Sequence, residues 1–162
     1  MRIALLAAVI VATLGLITLV SPLAARSTNI MLQPGPFAPE ATGHVVFNKD
    51  SGVLSGHIEA KNLPAQGAHA FYVLWFVRTD TGDKAFLGPV INERSIFFNS
   101  ASDGRMSFRA PAFTDGPDKG SLISLGAPGS NFFVLIAENR IDTFMPFPVS
   151  TPPSSFALTA TF

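Results

Sequence analysis

Three histidines, eleven acidic residues and no cysteine set the range of chemistry open to this 162-residue chain. Without cysteine there are no disulfides, no thiolate metal sites and no Cys nucleophile. The run GHVVFNKDSGVLSGHIE places His44 and His57 on the two arms of an expected hairpin. A turn centred on Asp50-Ser51 pairs Phe47 with Leu54 and Val45 with Gly56. That register makes the two imidazoles direct cross-strand neighbours on the outer face. Zinc or copper needs at least one more ligand. Glu59, two residues from His57 on the same face, and His69, at the start of another strand, are the candidates. The plainer reading is a pair of exposed strand histidines.

The remaining reactive types point to structure more than to catalysis. Glu138 ends an apolar strand, where a carboxylate pairs with a nearby Arg such as Arg140 or Arg78, or satisfies loop amides. Asp80, Asp83, Asp115 and Asp118 sit in turns beside Gly. Turn formation explains that adjacency, and the ligand spacing of an EF-hand loop is absent. There is no G-x-S-x-G elbow and no Gly-rich phosphate loop opening a helix. The sequence therefore names no catalytic residue and no cofactor, and the protein is not expected to be an enzyme.

These residues must be positioned by strands. Thirteen Gly and thirteen Pro imply many turns, and from Asn29 onward no stretch keeps helical periodicity. Strands are expected over Thr42–Lys49 and Val53–Ala60, over His69–Thr79, Lys84–Ile91, Gly104–Ala110 and Asn131–Asn139, and over Ser155–Phe162, with Ser95–Asn99 a further candidate. The run FYVLWFV (71–77) holds the only Trp and Tyr and is apolar on both faces, as is NFFVLIAEN (131–139). Such strands must be covered twice, which makes 71–77 the centre of the domain. In 104–110, Met106, Phe108 and Ala110 alternate with Arg105, Ser107 and Arg109, the pattern of a half-exposed strand. In the last strand the same alternation turns Phe156, Leu158, Ala160 and Phe162 inward and Ala157 outward. Seven or eight strands with short turns and no room for crossover helices give an all-β fold, an antiparallel Ig-like β-sandwich, preceded by one N-terminal hydrophobic helix.

That helix is Ile3–Val20, uncharged, following Arg2 and ended by Ser21-Pro22. Its 18 residues span roughly 27 Å. Residues 1–25 read equally as a cleaved signal peptide or an uncleaved membrane anchor through residues 3–20. Residues 26–40, with a high proline content, read as a linker in which Ile30, Met31 and Leu32 form an edge strand or lie on the domain surface, and 41–162 as the β domain. Either leader places the domain outside the cytoplasm, membrane-anchored or secreted. Without Arg2 and Arg26 the chain carries about −2, and it has no basic stripe, so nucleic acid is not an expected partner.

Taken together, the Gly-led hairpin ending near NLPA, FYVLWFV with Trp75, Asp83 with the strand AFLGPV, and FFVLIAEN with Glu138 resemble the extracytoplasmic C-terminal domain of anti-sigma-K-type factors. The resemblance covers roughly Gly43 to Phe162. It implies a module outside the cytoplasm behind one membrane span, with Tyr72 and Trp75 as core markers. Only Met1 and Arg2 precede the apolar run, so the family's cytoplasmic sigma-binding region has no counterpart in this sequence. The expected role is binding or regulation at the cell envelope, with an envelope or membrane protein as partner. The apolar group Phe144, Met145 and Phe147 is its candidate contact, or else part of the core. The other readings are a structural subunit of a surface layer or filament and a metal-binding enzyme using His44 and His57.

Overall fold

A computed structural model describes residues 27–65, 71–93, 95–138 and 155–162. The expectations for the helix over 3–20, for His69 and Arg140, and for Phe144, Met145 and Phe147 fall outside these residues. The described chain is all-β. Its eight antiparallel strands are β1 (Thr28–Pro34), β2 (Thr42–Asp50), β3 (Val53–Leu63), β4 (Phe71–Arg78), β5 (Lys84–Val90), β6 (Ser102–Ala110), β7 (Asn131–Glu138) and β8 (Phe156–Thr161). In place of two separate sheets they form one, in the order β5-β4-β7-β8-β1-β2-β3-β6, nearly closed into a barrel. The end strands meet where Ile91 N–H donates to the Arg105 carbonyl at 3.1 Å and Arg105 N–H donates back at 2.8 Å. Beyond that bridge the seam is not zipped. Leu87 is an extra residue bulging from β5, and Pro89 has no N–H to offer.

The stretch expected to be linker contains β1. Its Thr28–Leu32 half pairs with β2 and its Gln33-Pro34 end with β8, so it joins the two halves of the sheet. Leu32, Ala38 and Ala41 belong to the core. Ser95–Asn99 is not a strand; only Phe97 makes a bridge, to Phe71.

The β2–β3 hairpin keeps the expected inward set, Val45, Phe47, Leu54 and Ile58, all buried. Its register differs from the expected one by two residues: Phe47 pairs with Gly56 and Val45 with Ile58. The turn is Ser51-Gly52, with φ of 49° and 81°. Positive φ at both central residues makes a type I′ turn, whose twist matches the strands it joins.

β4 and β7 are paired side by side at the centre of one wall. Tyr72, Leu74, Phe76, Phe133 and Leu135 point into the barrel. Phe71, Val73, Trp75, Val77, Val134 and Ile136 form a second apolar cluster on the outer side. Trp75 packs edge-on against Phe86 at 5.2 Å, and Tyr72 against Phe98 at 5.0 Å. The Tyr72 hydroxyl donates to the Pro64 carbonyl at 2.8 Å, tying the central strand to the Leu63-Pro64 turn. In β8, Leu158 and Ala160 face inward as expected. Ala157 is an extra residue opposite the Leu135-Ile136 step, so Phe156 packs against the outer cluster and Ala157 joins the inner one.

Candidate functional site

The opposite wall, β2–β3–β6, alternates. Its inner residues fill the barrel and its outer residues are mostly polar, in two rows that cross the strands. One row runs Met31, His44, Glu59, Arg105, Ile91; the next runs Asn29, Val46, His57, Ser107. The sequence placed His44 directly opposite His57. In the actual register His44 faces Glu59 and His57 faces Val46, because the turn lies one residue later in the chain than expected. The imidazoles remain diagonal neighbours, 6.4 Å apart between centroids and nearly perpendicular. Among the described residues no group of three or more His, Asp or Glu side chains converges to hold a metal.

Three concavities follow one another along this wall towards the loop between β5 and β6. The first, about 270 Å³, includes His57, Glu59, Arg105, Met106 and Ser107. The second, about 230 Å³, shares Glu59 and Arg105 with it and adds Lys61, Glu93 and Asp103. The third, about 480 Å³, shares Glu93 and Asp103 and adds Phe97, Asn99, Ser100 and Ser102. Shared walls make them one trough, running along β3 and β6 from His57 and Ser107 past Glu59 and Arg105 to Lys61 and Asp103. The ion pairs among the described residues are Arg78–Asp80 and Lys84–Asp115. Glu59, Lys61, Glu93 and Arg105 thus line the trough without being spent on one another.

The far end of the trough is built by a stiffened loop. Asn92 accepts from Ser95 N–H through Oδ1 at 2.9 Å and donates through Nδ2 to the Phe97 carbonyl at 2.9 Å. Ser95 Oγ in turn accepts from Phe97 N–H at 2.9 Å. These local bonds replace a strand ladder, which is why Ser95–Asn99 does not extend the sheet. On the other bank, Asp103 Oδ1 accepts from Asn62 N–H at 3.1 Å. That bond holds Asn62 in its left-handed conformation, φ 56°, beside the bulge between Ala60 and Leu63. Ser102 Oγ is shielded from solvent and has no hydrogen-bond partner among the described residues. Sequence reasoning missed this loop because Ser95–Asn99 looked like a strand. The signal available was the Asn92 to Asp103 density of Asn, Ser and Asp, a loop composition.

The turn carboxylates serve structure at the opposite end of β4. Asp83 is 0% exposed. Burial pushes its carboxyl up, but hydrogen bonds from Thr81 Oγ1 and Asp118 N–H, helped by the Arg78 charge, outweigh that and hold it below the usual carboxylate range. Gly116 beside it has φ +106°, and a Cβ there would sit 2.6 Å from Asp83 Cα. Arg78 grips Asp80 through both Nε and Nη2, at 3.2 and 2.9 Å, and Ser124 through Nη1 at 2.8 Å. This pairing raises Arg78 and lowers Asp80. Arg78 was one expected partner of Glu138, whose side chain lies outside the described residues. Glu138 closes β7 opposite Phe71.

Among the described residues no helix is long and apolar enough to cross a membrane. Comparison with family models, with curated proteins and with solved structures returns no match for this chain.

Proposed function

We propose that the protein is a non-catalytic binding module held outside the cytoplasm, with a binding or regulatory role at the cell envelope. The residues that resemble the outer domain of anti-sigma-K-type factors support this reading, as does the apolar run Ile3–Val20 ahead of the domain. A nearly closed barrel with two unlike walls also suits a β-sandwich-like binding scaffold. The observation that carries the reading is the trough over β3 and β6: charged side chains of both signs line it without pairing to one another. Its polar groups are spread along rows rather than converging on a point, which favours recognition over bond-making.

A photo-crosslinking residue in place of Ser107 or Asn99, in the full chain in native envelopes, is expected to capture an envelope component. The same residue at Lys49, near the hairpin tip, is not. Equal capture from Lys49 and the trough positions, or none from the trough, contradicts the assignment.

A further inference from the structure

We infer that the trough takes a neutral, polyhydroxylated chain: an oligosaccharide of the envelope. The inference rests on the binding-module reading and names its ligand.

The charges of the trough decide against most other classes. Glu59, Glu93 and Asp103 repel a polyanion, and Lys61 and Arg105 repel a polycation. An apolar ligand finds Ile58, Ile91 and Met106 at one end and Phe97 at the other, with charged residues between them. A peptide strand finds little ladder within the trough itself, because β3 and β6 are paired to each other and Arg105 spends both backbone groups on Ile91; the open edge of β6 lies beyond that bridge. A sugar chain needs side chains that accept, side chains that donate and accept, and a ring face for its C–H groups. Carboxylates only accept, hydroxyls and amides do both, and Arg and Lys donate, so vicinal hydroxyls meet complementary partners along the whole trough.

The largest concavity has the most complete set. Phe97, partly buried against the outer apolar cluster, lines it together with Asn99, Ser100, Glu93 and Asp103. The Asn92 latch fixes the loop in advance, which lowers the ordering cost of binding. The volume of about 480 Å³ lies within the range of ligand sites and holds one or two sugar rings, with the smaller concavities continuing the track.

The test uses the full chain in a detergent that carries no sugar, titrated by calorimetry with cellohexaose, maltohexaose, xylohexaose, mannohexaose and chitohexaose. At least one is expected to bind. Glu93→Gln and Asn99→Ala are each expected to weaken it about tenfold or more, while His44→Ala, on the same face outside the trough, leaves it unchanged. No binding by any of the five, or binding insensitive to both trough substitutions, overturns the inference. The crosslinking test separates the two levels. Capture of a protein from Ser107 with no sugar binding retains the module and removes the glycan; failure of both removes both.

Discussion

The two walls of this barrel are built from the same secondary structure and behave as opposites. On β3 each inward residue has an outward neighbour in solvent: Ile58 is buried, and His57 and Glu59 are exposed. On β4 there is no solvent side, with Phe76 0% and Trp75 3% exposed on opposite faces. A wall with one wet face is free to vary its outer residues for recognition. A wall with two dry faces has every position tied to packing. The difference puts the structural centre on β4 and β7 and leaves β3 and β6 as the proposed working surface.

Truncation on the dry wall has the largest expected effect. Phe76→Ala and Trp75→Ala are each expected to cost about 3–5 kcal/mol, although they point in opposite directions. Urea unfolding measures both. A Trp75→Ala cost under about 1 kcal/mol would break the comparison by showing that the outer cluster is not a second core.

Next comes the turn that ends β4. Asp83→Asn is expected to cost about 1.5–3 kcal/mol, because a buried charged acceptor of two hydrogen bonds is weakened. The sign of its pH dependence follows from a carboxyl held low in the folded state. Its contribution is fully present above the unfolded value of about 3.9 and is lost as pH falls through the lower folded value. Acid titration of stability should therefore be shallower below about pH 4 in Asp83→Asn than in the parent. An unchanged slope would remove Asp83 as the cause.

A gain is expected at the hairpin that carries the wet wall. Ser51→Asn is expected to stabilise by about 0.5–1 kcal/mol, since Asn tolerates the positive φ that Ser51 must adopt. A loss on thermal unfolding would argue against the type I′ turn and the register built on it. The smallest effect is expected on the wet wall itself. His57→Ala should fall within about 0.5 kcal/mol of the parent, and elemental analysis after dialysis should find no bound metal. Metal retained by the parent and lost in His44→Ala would restore the metal reading.

How much of this was legible in the sequence depends on the periodicity each part obeys. The dry strands were plain, because seven apolar residues in a row at 71–77 fit only a strand covered on both sides. The inward set of the hairpin was plain too, but its register was not. Registers two residues apart share the same parity, so alternation cannot separate them. Only the turn chemistry does, and Gly52 at the second turn position was the clue. β1 was legible only as an edge-strand alternative at Ile30–Leu32; the prolines around it hid its full length and its pairing on both sides. The Ala157 bulge reversed the facing of Phe156 because one inserted residue breaks a period of two. The trough was least legible. It is made where β3, β6 and the 91–101 loop come together, and its members are far apart in the chain.

Radical footprinting of the full chain, purified and in native envelopes, tests the central assignment most directly, with side-chain oxidation read by mass spectrometry. The chain carries its own controls. Met106, Phe97 and Ile91 line the trough, while Met31, at 62% exposure, and Leu122 lie outside it. Occupation of the trough predicts protection of Met106, Phe97 and Ile91 in envelopes, with Met31 and Leu122 oxidised as in the purified chain. Protection at Met31 or Leu122 with Met106 and Phe97 unchanged would place the working surface elsewhere and contradict the account.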